Sequence, residues 1–402
     1  MKRNLILASL LLLTMTLYSQ DSKEIFRKSK EKCQSITNGY YEMTSHKKYM
    51  SGPDTSINTQ KCYFKKSKAN MPFSMLFHLQ YMEGGQHTGS SLFTGEELVS
   101  FSLKDSTGMI LSMDRWKSEI KARSDNFNFF EPVTSRNSHA LPRKSDFRES
   151  SFQMKWIGEE NVSGYNCHHI EIREVPKMEK GSPLEVIEYV RHFWINTMDM
   201  VPIQYSEQIA MVMSKDTMVQ YDRFTLDRYE LNMPFEEDKV SLSVVPAYIH
   251  LNEYAPYIQP EPLPLDTIAP LWSFPSLTEE TVSLEDLKGK LVLLDFFYKA
   301  CFPCMQALPA LQSLHTKYKD QGLVVIGMDP YDDKKDNLTD FLAKRDVDYT
   351  VLYASREIAK TYKVSGYPTM FLIDKEGKII HIQEGYGDKV ADRIEEIILN
   401  NL

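Results

Sequence analysis

Apolar and polar positions change rhythm several times along this chain of 402 residues. At the start, Lys2 and Arg3 precede an apolar run from Leu5 to Leu17, followed by Tyr18-Ser19-Gln20-Asp21. The run is too short for a bilayer, which takes about 20 apolar residues, and its flanks are those of a secretory signal peptide. Residues 1–20 are therefore expected to be removed after Ser19 or Gln20, leaving an exported, soluble protein. Ile25, Phe26, Ser29, Cys33 and Ile36 then mark one face of a helix that Asn38-Gly39 should end. Beyond it the period falls to two, with turn residues between short runs. Strands are predicted over 40–49, 59–66, 73–81, 91–94, 97–103, 151–157, 165–173, 188–195, 201–208 and 217–231. Residues 161–164 and 196–199 read as hairpin turns, and 51–56 and 134–150 as polar loops. This spacing predicts a mainly antiparallel-β domain over 21–254, as a half-barrel or a sandwich.

Four prolines, Pro256, Pro260, Pro262 and Pro264, then interrupt the pattern. They predict an extended, semi-rigid linker over 255–268. From 269 to 402 strands alternate with helices. The apolar run 291–297 predicts a buried strand, and Ala307, Leu308, Leu311, Leu314 and Tyr318 recur at helical spacing. Strands are expected at 323–328, 349–353, 369–373 and 378–383, with helices at 334–345, 355–362 and 388–399. This order predicts an α/β domain whose central mixed sheet has helices on both faces.

Composition adds limits. With 42% hydrophobic and 25% charged residues, the chain is ordinary for a globular protein. A net charge of −8 without a basic block argues against a nucleic-acid partner. Five cysteines suit an exported chain with disulfides; Cys33, Cys62 and Cys167 can form one pair plus a free thiol, or remain three buried thiols.

The chemistry concentrates at Cys301-Phe302-Pro303-Cys304, between the predicted strand and helix. Pro303 suits the first turn of a helix, which puts Cys301 at the N-terminus, where free N–H groups favour a thiolate. Cys304, one turn on, can resolve a mixed disulfide. Asp295 falls within the apolar strand, where a lone carboxylate is costly unless it has a task. Pro309 should kink the helix. Downstream, Val364-Ser-Gly-Tyr367-Pro368-Thr369 precedes a strand. Cys167-His168-His169 does not predict a metal site, because alternate strand residues face opposite ways and no further ligand is in view. No cofactor is called for.

Together these residues resemble the thioredoxin superfamily. The segment 269–290 ahead of the dithiol is similar to the TlpA/ResA branch of periplasm-facing thiol–disulfide oxidoreductases. The resemblance implies that Cys301 and Cys304 are the redox pair, Asp295 the buried acid, Pro309 the kink proline and Pro368 a cis-proline facing the dithiol. Phe302, Pro303 and Tyr367 would line the substrate groove. It also implies a disulfide-containing protein substrate and an electron donor in the membrane or periplasm. Three departures stand out: Ala300 where that branch usually has tryptophan, Ala307 where many members have glutamate, and the bulky Tyr367 before Pro368. A peroxidase is not expected, since Leu294 and Tyr298 occupy the positions where peroxiredoxins place proline and a threonine or serine. In the N-terminal part, Val162-Ser-Gly-Tyr-Asn-Cys167-His-His-Ile170, Phe193-Trp-Ile195 and Val201-Pro202 resemble the LolA-like lipoprotein-carrier half-barrels. That resemblance implies an apolar ligand. The expectation is thus an exported disulfide reductase, with an apolar-ligand carrier bearing an accessory thioredoxin-like domain as the alternative.

Overall fold

The computed structural model describes residues 22–49, 55–66, 75–124, 129, 142, 152–174, 184–213, 216–256, 258–387 and 389–402. The segment 1–20, expected from the sequence to be a signal peptide, lies outside these residues, as do most of the predicted loops 51–56 and 134–150.

Helix α1 (22–35) leads into β1 (Asn38–Lys48), β2 (Ser56–Lys66), β3 (Met75–Glu83), β4 (Gln86–Phe93), β5 (Glu97–Ser102) and β6 (Thr107–Ser112). Helix α2 (Met113–Ser124) follows, then β7 (Phe152–Val162), β8 (Tyr165–Glu174), β9 (Leu184–Asn196), β10 (Pro202–Met213), β11 (Asp216–Leu231) and β12 (His250–Glu253). All twelve strands form one sheet, in the order β12-β6-β5-β4-β3-β2-β1-β11-β10-β9-β8-β7. Every neighbouring pair is antiparallel except β12 with β6. Burial alternates along β1, with Tyr41, Met43 and Ser45 inside. Phe26 and Cys33 of α1, with Ile36 just after it, join the same core, and the Phe26 ring meets Phe193 edge-on at 5.2 Å.

Gly39 does not end the helix, as its sequence context suggests; it lies inside β1. A Cβ there would come within 2.5 Å of the Glu230 carbonyl oxygen on β11, so the close approach of β1 to β11 requires glycine. Strands β6 and β12 and helix α2 were not legible in the sequence. Residues 250–253 find their partner in β6, about 140 positions earlier, which no local pattern announces.

The C-terminal part opens with the hairpin β13 (Ser273–Pro275) and β14 (Thr281–Ser283). It continues through β15 (Leu291–Phe296), α3 (Phe302–Tyr318), β16 (Leu323–Asp329), α4 (Leu338–Ala343) and β17 (Thr350–Tyr353). Helix α5 (Arg356–Thr361), β18 (Thr369–Ile373), β19 (Ile379–Glu384) and α6 (Val390–Asn401) complete it. Its sheet runs β17-β16-β15-β18-β19, parallel on the β17 side of β15 and antiparallel on the other. All six residues of β15 are buried, because α3 and α6 cover one face while α5 and Trp272 cover the other. The helix predicted over 334–345 is broken by Asn337, whose φ of 51° is incompatible with an uninterrupted helix, leaving α4 and a short 3-10 turn.

Candidate active site

The end of β15 and the start of α3 deliver the two cysteines to one place. Cys301 is the N-cap of α3, in extended conformation (φ −88°, ψ 104°), and its Sγ accepts the Cys304 backbone N–H at 3.2 Å. Pro303 sits in the first turn, where its missing N–H costs nothing. Cys301 and Cys304 are joined as a disulfide. Both are buried, whereas Phe302 between them is 40% exposed. The helix N-terminus supplies the partial positive charge that favours a thiolate once the bond is reduced. Pro309 lies within α3, and the Tyr367–Pro368 peptide bond is cis, immediately before β18.

Asp295 lies in β15 between Gly327 of β16 and Met370 of β18. It is fully buried, and neither carboxyl oxygen has a hydrogen-bond partner among the described residues. Burial alone pushes its acid up to about 8. Gly327 makes room beside it: a Cβ there would lie 2.9 Å from Phe297 and 3.4 Å from the Tyr349 ring. The Tyr349 hydroxyl is also buried without a partner among the described residues. Asp295 and Tyr349 thus form a buried polar island under the dithiol face of the sheet, which is otherwise apolar.

Sequence reasoning missed a second acid and an aromatic cluster. Asp329 ends β16 as Asp295 interrupts β15, a carboxylate attached to an apolar run, so its signal was present. Its Oδ1 accepts the N–H groups of Tyr331 and Asp332, each at 2.9 Å, and burial followed by the neighbouring Asp332 raises it to about 8. Asp332 accepts the Lys299 N–H at 2.7 Å, and the Lys299 ammonium donates to the Asp336 carbonyl. The loop after β16 thereby anchors the loop that carries Cys301. Tyr298, Tyr331 and Tyr367 come from three different loops, and their ring centroids lie 5.1, 5.3 and 5.5 Å apart. Arg356 stacks on Tyr331 at 4.7 Å. Cys33, Cys62 and Cys167 are three separate buried thiols in the core of the large sheet, each pushed up to about 12 chiefly by burial.

Residues 265–382 match the family model described as AhpC/TSA family. Thiol-disulfide oxidoreductase ResA of Bacillus thuringiensis is 34% identical over 143 residues, covering 35% of this chain and 81% of the relative. Its namesake in Bacillus cereus is 36% identical over 131 residues, 32% of this chain and 74% of the relative. Among solved structures, the thioredoxin domain of a thiol-disulfide oxidoreductase from Bacteroides vulgatus is 26% identical, with a TM-score of 0.32, covering 34% of this chain and 99% of its own. Through its C-terminal part, the chain belongs to the thioredoxin-like thiol-disulfide oxidoreductases of the ResA type.

Proposed function

We propose that this protein is an exported disulfide reductase whose Cys301–Cys304 pair acts on disulfide-containing proteins outside the cytoplasm. The observation that carries the reading is the pairing of Cys301 with Cys304 at the N-cap of α3, with Asp295 buried in the strand that leads to them. In the reduced enzyme, the Cys301 thiolate attacks one sulfur of the substrate disulfide. A bond forms between Cys301 and that sulfur, and the other substrate sulfur leaves as a thiolate. Cys304 gives its proton to the Asp295 carboxylate and attacks Cys301, which forms the internal disulfide and releases the second substrate thiol. Two electrons have passed to the substrate, and a dithiol donor at the membrane or in the periplasm restores the pair. Phe302, Pro303, Tyr367 and Pro368 form the groove that receives the substrate segment.

Export rests on the basic flank and short apolar run of residues 1–20; among the described residues no helix is long and apolar enough to cross a membrane. The apolar-ligand alternative has less support. A cleft of about 580 Å³ beside β4–β6 is lined by Leu98, Phe101 and Met109 together with Ser90, Ser91, Ser100 and Ser102, a mixed wall that does not single out a lipid chain. The reductase reading is tested by equilibrating the full chain in thiol buffers and measuring the dithiol potential. A value near about −270 mV is expected of a reductant, whereas one near about −120 mV would reverse the assigned direction.

A further inference from the structure

The N-terminal sheet has no assigned role, yet the path of the linker brings it to the dithiol. The linker is tied to the C-terminal domain at two ends of its sheet. The Asp266 N–H donates to the Ile379 carbonyl and the Ala269 N–H to the Gly377 carbonyl, at the turn between β18 and β19. Gln259 instead donates to the Ser365 hydroxyl at 2.8 Å and to Glu384 at 3.1 Å. Ser365 lies two residues before Tyr367, and Glu384 pairs with Thr369, next to the cis-proline. Followed backwards, the linker runs from the far end of the sheet to the dithiol end, so the large sheet is attached where the cysteines are.

Strands β9, β10 and β11 lie side by side as a three-strand arm of that sheet, paired as far as Leu184, Met213 and Asp216. Along the inner face of β11, Leu226 and Phe224 belong to the sheet's own core, and Asp222 and Gln220 are polar. Then comes Met218, which pairs with Met211, itself paired with Val186: an apolar row at the tip of the arm. Met218 is only 3% exposed, and it belongs not to its own sheet's core but to the buried core on the α3 and α6 face of the C-terminal sheet, the core that also holds Cys301, Cys304, Met305 and Val390. Cys301 is itself 3% exposed, although it stands at a helix N-cap at the end of the sheet.

We propose that the tip of the β9–β11 arm, through Met218, is the resident occupant of the dithiol face, so that a substrate must displace it to reach Cys301. The large sheet is then a self-covering surface. A partner able to reach the dithiol has to offer an apolar segment that takes the place of the Met218 row. Methionine suits such a seat, being unbranched and tolerant of repeated packing and release.

The proposal uses the preceding functional reading only to name Cys301 as the group being covered. Its test needs no turnover. The full chain is reduced, freed of reductant and treated with iodoacetamide, and alkylation of the Cys301 peptide is followed by mass spectrometry. In Met218→Asp, a charge placed in an apolar seat empties it, and Cys301 should alkylate about tenfold faster than in the parent. Met218→Leu, which keeps the apolar bulk, should stay within about twofold. Buried Cys33, Cys62 and Cys167 report on the fold, remaining unlabelled while the sheet is intact. If they label in Met218→Asp, Met218→Ala replaces it and the same acceleration is required. An unchanged Cys301 rate in a folded variant overturns the cover, whatever the measured potential says about the direction of electron flow.

Discussion

A carboxyl group without a hydrogen-bond partner, held inside an apolar sheet, destabilises the protein whenever it ionises, and Asp295 is such a group among the described residues. Its folded acid constant, about 8, stands above the ordinary 3.8, so between those values the native state keeps a proton that the unfolded chain has lost. Stability contributed by the neutral acid is fully present below about pH 4 and declines as pH rises towards 8. Asp295→Asn should therefore unfold at higher denaturant than the parent at pH 9, by up to about 5 kcal/mol, with the advantage vanishing near pH 3.5. Catalysis should move the other way. The carboxylate accepts the Cys304 proton only once ionised, so the release of substrate from a preformed mixed disulfide should quicken as pH passes about 8. Asp295→Asn should lose that limb and run about 10²-fold slower. Single-turnover release from that mixed disulfide reads both effects, and a variant with the parent's pH profile would remove Asp295 from the proton path.

At the scale of elements, three loops meet above the end of the small sheet. The loop after β15 supplies Tyr298, the loop after β16 Tyr331, and the loop before β18 Tyr367. Edge-to-face pairs of this kind contribute about 0.5–1.5 kcal/mol beyond burial. Tyr298→Ala and Tyr367→Ala should accordingly be non-additive by about 1 kcal/mol in a double-mutant cycle of unfolding free energies. Additive losses would mean that the loops are held independently. The elements also show what a sequence can disclose. β15 and α3 were legible because their signals are local: an unbroken apolar run, a proline in the first turn, and apolar residues at helical spacing. Asp295, Cys301, Cys304 and Pro368 could be picked out for the same reason, each being conspicuous in its own segment. The tyrosine cluster could not, since its members are 33 and 36 residues apart and each alone reads as an ordinary loop aromatic. Gly39 misled because a glycine after a helix usually serves the turn, and here it serves a strand pair formed across almost 200 residues. Met218 lies in a correctly predicted strand, but nothing in the alternation says that its end packs against another part of the chain.

For the molecule as a whole, the buried side chains separate into cores that barely mix. One set is built from α1 and the twelve-stranded sheet, with a smaller group under β4–β6; the others lie on the two faces of the C-terminal sheet, and among the described residues Met218 is the one buried core residue that crosses over. The proline-bearing stretch between them is largely exposed. Cores that share so little surface unfold with little mutual coupling. We therefore expect two transitions in denaturant, with Cys33, Cys62 and Cys167 as built-in reporters of the large sheet. Reducing the disulfide opens a loop of only a few residues, for which the loop-entropy relation gives about 2 kcal/mol. The small domain's midpoint should fall by that amount on reduction, while the denaturant concentration at which Cys33, Cys62 and Cys167 become reactive should stay where it was. Labelling of Cys33, Cys62 and Cys167 across a urea series follows the large sheet, and pulse proteolysis of the C-terminal part follows the small one, both with and without prior reduction. If labelling and proteolysis reported a single step that reduction moved as one, the halves would be a single cooperative unit, and the arm contact at Met218 would have to be far stronger than one buried methionine allows.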